Sequence, residues 1–131
     1  MADLPEEARK FIDRYIDSLE KLEVLLLLQR SPERQWTASA VASELQISFG
    51  TADRQLSKLC AQNLLDVKLG QDLFYSFSPH LPHLQEGARA LARAYAQQRL
   101  AVLKRVAQRP PEAIRDFANA FHITKKDDSD G

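Results

Sequence analysis

Hydrophobic positions fall at helical spacing over most of the chain. Ala8, Phe11, Ile12, Tyr15, Ile16 and Leu19 recur every three or four residues and predict an amphipathic first helix. Asp3 is its candidate N-cap, with Pro5 in the first turn and Glu6 as the partner of a capping box. Asp17 and Glu20 repeat that spacing and predict a second helix from about Ser18. It carries Leu19, Leu22 and the run Val24–Leu28, and it stops before Ser31-Pro32 because the residue ahead of a proline resists helical backbone angles. A helix apolar on most sides belongs in the middle of a core.

A short helix follows Trp36-Thr37, from Ala38 or Ser39 to Leu45, with Ala40, Val41 and Leu45 turned inward. Gln46-Ile47 links it to Ser48, the cap of a longer helix running to about Gln62. Phe49, Ala52, Leu56, Leu59 and Cys60 form the stripe expected to be buried there. Asn63 stands where the chain must leave through a left-handed residue. Leu65–Leu69 and Leu73–Phe77 flank Gly70-Gln71-Asp72 and predict a β-hairpin.

From His80 to Arg109 the spacing predicts one long helix. At about 100° per residue, Leu84, Ala88, Leu91, Tyr95, Val102 and Val106 share one sector, with Arg89, Arg93 and Lys104 opposite. Ala96, Leu100, Leu103 and Ala107 add a second apolar strip, which calls for a second surface to pack on. Pro110-Pro111 ends this helix. A last one, Glu112–Phe121, is expected to bury Ile114, Phe117, Ala118 and Phe121, and residues 125–131 read as a disordered charged tail. The expected organisation is one domain over 1–124, with a body at 18–79 and flanking helical segments at 1–17 and 80–124. There is no internal repeat and no interdomain linker.

The 131 residues suffice for one core. Alanine and leucine fill 36 positions against 10 for isoleucine plus valine, which favours helix. The expected class is therefore mostly α with a small β-hairpin. A lone Cys60 excludes an internal disulfide and a cysteine-based zinc site. The longest apolar run is five residues, far short of a membrane span, and the opening residues are acidic rather than a basic-then-apolar leader. The expected setting is cytoplasmic.

Helix, short strand, helix, tight turn, helix, hairpin is the order of a winged helix-turn-helix domain, and the residues resemble that family. Trp36-Thr37-Ala38-Ser39-Ala40-Val41-Ala42-Ser43-Glu44-Leu45 is similar to the scaffold helix of bacterial winged-helix regulators. Ile47-Ser48-Phe49-Gly50-Thr51-Ala52-Asp53-Arg54-Gln55-Leu56 looks like the start of their recognition helix. Leu59-Cys60-Ala61-Gln62-Asn63-Leu64-Leu65 is similar to their exit into the wing, with Asn63 in place of the usual glycine. The resemblance is closest to MarR-like and related dimeric repressors and covers Ser18 to Phe77. It implies double-stranded DNA as partner, a homodimer built by the terminal helices, and no cofactor.

A recognition helix meets base edges with its N-terminal half while its amides hold phosphate. Thr51, Arg54, Gln55 and Lys58 sit at spacings of three and four, opposite the expected buried stripe, and are expected to project outward together. Arg54 suits guanine, Gln55 suits adenine, Thr51 suits a thymine methyl or a phosphate, and Ser48 and Lys58 suit phosphate. Lys68 and Gln71 are the candidate contacts of the wing. Against this stand Asp53 in the first turns of the helix, a wing tip without Arg or Lys, and a body (18–79) with 6 basic and 7 acidic residues. The positive charge lies in residues 80–109, at net +5.

The competing reading is a winged helix that docks another protein through its neutral wing and basic helix. Catalysis is not expected, since no nucleophile-base set, paired carboxylates or glycine-rich phosphate loop is present. Cys60 falls on the buried stripe and reads as inert. His80 and His83 lack a third metal ligand, and His122 stands alone. Tyr15, Trp36 and Tyr95 read first as core and second as the lining of a small-molecule pocket.

Overall fold

A computed structural model describes residues 3–108. The expected helix Glu112–Phe121, the tail at 125–131, Arg109 and His122 lie outside the described residues. Within them the order is α1 (Glu6–Tyr15), α2 (Leu19–Arg30), α3 (Ala38–Leu45), α4 (Phe49–Ala61), β1 (Leu65–Leu69), β2 (Leu73–Phe77), α5 (Pro82–Gln97) and α6 (Arg99–Ala107).

Local chemistry sets most of these boundaries. The hydroxyl oxygens of Ser18, Thr37 and Ser48 accept hydrogen bonds from the backbone amides of Lys21, Ala40 and Thr51, capping α2, α3 and α4 at 3.1, 3.1 and 3.0 Å. Asp3 does not cap α1. Pro5 holds that position without a side-chain bond, and Glu6 and Glu7 complement the helix dipole instead. Asn63 leaves α4 at φ 66°, and Gln46 leaves α3 at φ 58°. At the second site the Ile47 amide donates to the Ala42 carbonyl, which closes the tight turn between α3 and α4.

α2 lies in the centre, with Leu22 and Val24–Leu28 all buried. Lys21 is buried beside it, 3.9 Å from the Asp17 carboxylate. α3, α4, α6 and β2 pack on α2, and α1 packs on α5 and α6. β1 and β2 form an antiparallel hairpin in the register Leu65↔Phe77, Val67↔Tyr75, Leu69↔Leu73. Trp36 adds a third, one-residue strand through paired 2.7 Å bonds with Tyr75.

The long helix expected from His80 onward is two helices. Gln98, at φ −139° and ψ 55°, breaks it, and α6 turns to pack on α1. There Arg105 grips the Asp13 carboxylate with two donors, Nε at 2.8 Å and Nη2. Of the second apolar strip, Ala96, Leu100 and Ala107 are exposed and Leu103 is half-buried; Leu100 is 76% exposed. Among the described residues no helix is long and apolar enough to cross a membrane.

Candidate nucleic-acid interface

α4 is held by the face that carries Ala52, Gln55, Leu56 and Leu59, all buried. Its opposite face shows Gly50, Arg54, Ser57 and Ala61, spaced four, three and four residues apart and all exposed. Arg54 is thus the one long side chain in a row of small ones. A β-carbon added to Gly50 meets no atom within 4 Å, so nothing inside the protein requires a glycine there.

The expected site residues divide accordingly. Ser48 and Arg54 are exposed, and Thr51 and Lys58 are half-buried on the flank of the exposed row. The Ser48 hydroxyl also donates to the Thr51 hydroxyl oxygen at 2.8 Å, so the two act as one unit at the start of α4. Gln55 is a correction. It is 6% exposed and does not project outward with Arg54, and its Oε1 is buried without a hydrogen bond. Apolar spacing alone excluded Gln55 from the buried stripe, yet the helix packs on Ala52, Leu56 and Leu59, which brings Gln55 in with them. Phe49 is the converse correction. Placed in the buried stripe from sequence, it is 57% exposed, because the first turn of α4 projects past the core and Ser48, Phe49 and Gly50 are all in solvent. Cys60 is half-buried rather than fully covered, and Ser57 is an exposed position that the apolar spacing did not mark.

The hairpin stands beside α4. Leu65, Val67, Leu69, Leu73, Tyr75 and Phe77 share one face of it, as the register requires. Leu65 and Tyr75 are buried, whereas Val67, Leu69 and Leu73 extend past the core, Leu69 to 84% exposure. Burial pushes the Tyr75 phenol above its ordinary value, and the nearby Ser57 side chain acts in the opposite direction. Lys68 is exposed and lies on the other face of the hairpin, opposite Phe74. Gln71 is exposed at the tip. The Asp72 carboxylate there accepts from the Leu73 amide at 2.7 Å, and the Gly70 amide donates to the Asp72 carbonyl at 2.8 Å.

At the base of the hairpin a His80 ring nitrogen lies 2.6 Å from Asp66 Oδ1, and this contact holds the Asp66 carboxyl below the usual carboxylate range. His80 is therefore engaged with a carboxylate, and no group of three His, Cys, Asp or Glu side chains suited to a metal occurs among the described residues. Tyr15, Trp36 and Tyr95 lie in different surroundings. Tyr15 borders an open groove of about 550 Å³ between α1 and α5, Tyr95 borders one of about 310 Å³ between α2 and α5, and Trp36 is buried. The Arg34 guanidinium stacks over the Trp36 ring at 3.5 Å from its centre.

No protein-family model matches the chain, and no curated protein does. Solved structures do. Reduced HlyU from Vibrio cholerae is 20% identical and covers 67% of this chain and 88% of its own, with a TM-score of 0.52. The F27L mutant of MepR from S. aureus, bound to an oligodeoxyribonucleotide, is 15% identical, covers 96% of this chain and 88% of its own, and has a TM-score of 0.55. A possible transcriptional regulator from Methanosarcina mazei is 17% identical, covers 72% and 84%, and has a TM-score of 0.50. Likeness at these identities establishes the fold: a winged helix-turn-helix, mostly α with a small β-hairpin and flanked by terminal helices.

Proposed function

We propose that the chain is a sequence-specific DNA-binding transcriptional regulator that acts as a homodimer. The observation that carries this reading is the exposed row of α4, in which Arg54 stands between Gly50, Ser57 and Ala61. Small neighbours let a helix approach a groove floor, and one long guanidinium then reaches the base edges. Ser48, Thr51 and Lys58 lie where they would meet the flanking phosphates, and Lys68 and Gln71 would extend the contact along the wing. That MepR was solved with an oligodeoxyribonucleotide adds to the same reading. The exposed Leu100 and its neighbours on α6 offer the apolar surface through which a second copy would pair. Two-fold pairing implies near-palindromic half-sites about one helical turn apart.

One observation favours the alternative, a winged helix that docks another protein. The wing tip shows Leu69, Leu73 and Asp72 and no base. The two readings separate in fluorescence anisotropy with random and genomic duplexes at low salt. A regulator binds; Arg54→Ala weakens binding and relaxes sequence preference, whereas Lys58→Ala weakens binding to all duplexes and lowers the log–log salt slope by about one. A folded protein that binds no duplex, and that captures a stoichiometric protein partner even as Arg54→Ala, fits the alternative instead.

A further inference from the structure

We propose that Phe49 is a specificity-determining residue that reads thymine through its 5-methyl group; this rests on the DNA-binding reading of α4. Phe49 is the first residue of α4, immediately after the Ser48 cap, and more than half of its surface is open to solvent. It is therefore not part of the core that holds the helix. The N-terminal end of a helix lying in the major groove is the part that comes closest to the base edges. There the only apolar group that a base pair presents is the thymine methyl, and an aromatic ring is one of the side chains that contacts it. Gly50, the next residue, has no side chain to hinder that approach. Phe49 lies to one side of the row that carries Gly50 and Arg54, so the methyl it reads would belong to a different base pair from the one Arg54 contacts, with the ring excluding water from that methyl.

Deoxyuridine tests this directly, because it differs from thymidine only by the methyl. A randomised duplex pool is enriched with the wild-type chain at low salt, and single dT→dU replacements are made through the enriched sequence. Affinities are then measured for the wild type and for Phe49→Ala, whose unchanged thermal melting establishes that it is folded. The expected result is one or two positions per half-site where dU lowers wild-type affinity about fourfold, the effect of one methyl taken out of water. At those positions Phe49→Ala binds dT and dU equally. It also keeps the wild-type salt slope, since an apolar contact releases no counterions. If Phe49→Ala retains the full dT over dU preference, or the wild type shows none on an enriched duplex, Phe49 is not the reader although α4 still binds DNA. If the wild type enriches no duplex at all, the DNA-binding reading of α4 fails and this inference fails with it.

Discussion

Gly87 of α5 sits directly against Phe11 of α1: a β-carbon added to the glycine would lie 2.4 Å from Cδ1 of the phenylalanine ring. The ring is buried and packed against Tyr15, their centroids 5.0 Å apart, so a shift of the ring would disturb that contact. Gly87→Ala gains helix propensity but overpacks the α1–α5 contact, and overpacking of this kind typically costs about 1–3 kcal/mol. The expected outcome is a lower urea midpoint with an unchanged slope. A variant as stable as the wild type would show that the two helices are free to separate.

Gly50 offers the opposite case. Nothing lies near its missing side chain, and its backbone is in the ordinary helical region, so Gly50→Ala meets no clash. Relief of glycine's backbone entropy is expected to raise stability by about 0.5 kcal/mol. The added methyl would stand on the exposed row of α4, and duplex affinity is expected to fall several-fold. Thermal melting and anisotropy on one preparation read the two signs together. Loss of stability would go against the open surroundings of Gly50, and unchanged affinity would go against the assignment of this row to DNA.

Cys60 is expected to be a poor nucleophile. Burial, with the Asp66 charge adding to it, pushes its thiol up to about 11, against an ordinary value of about 8.5. Alkylation by iodoacetamide at pH 8 is expected to be slow in the folded protein and fast in guanidinium, with the native rate rising as the pH approaches 11. Folding raises this group's pKa, so the stability linked to it is fully present below the unfolded thiol's value and is lost as the pH climbs through the folded one. Cys60→Ala is expected to remove that alkaline loss. Rapid alkylation of the native protein at neutral pH would refute the assignment.

The features legible in the sequence are those specified by residues close to one another. Ser18 and Ser48 start their helices because each hydroxyl reaches an amide three residues on, and Asn63 ends α4 because its side chain tolerates a left-handed backbone. The hairpin follows from Gly70-Gln71-Asp72 between two apolar runs. Long-range packing decided what the pattern could not. No proline or glycine marks Gln98, and apolar residues continue across it; the break goes with the packing of α6 on α1, where Arg105 meets Asp13. Within the candidate site, polarity pointed Gln55 outward and Phe49 inward. The face on which α4 packs brought Gln55 in, and the projection of its first turn past the core left Phe49 out; both are properties of the assembled helices rather than of the segment.

The turn at Gln98 also bears on how far two copies would reach along a duplex. A single unbroken rod from Pro82 to Ala107 would fix the outer surface of α6 rigidly to the body that carries α4. With an elbow between them, α6 lies against α1, where Arg105 meets Asp13, and a pair joined through α6 would take its stride from that contact as much as from Gln98. Altering the α1–α6 contact would then lengthen or shorten the gap between half-sites while leaving every base contact as it was.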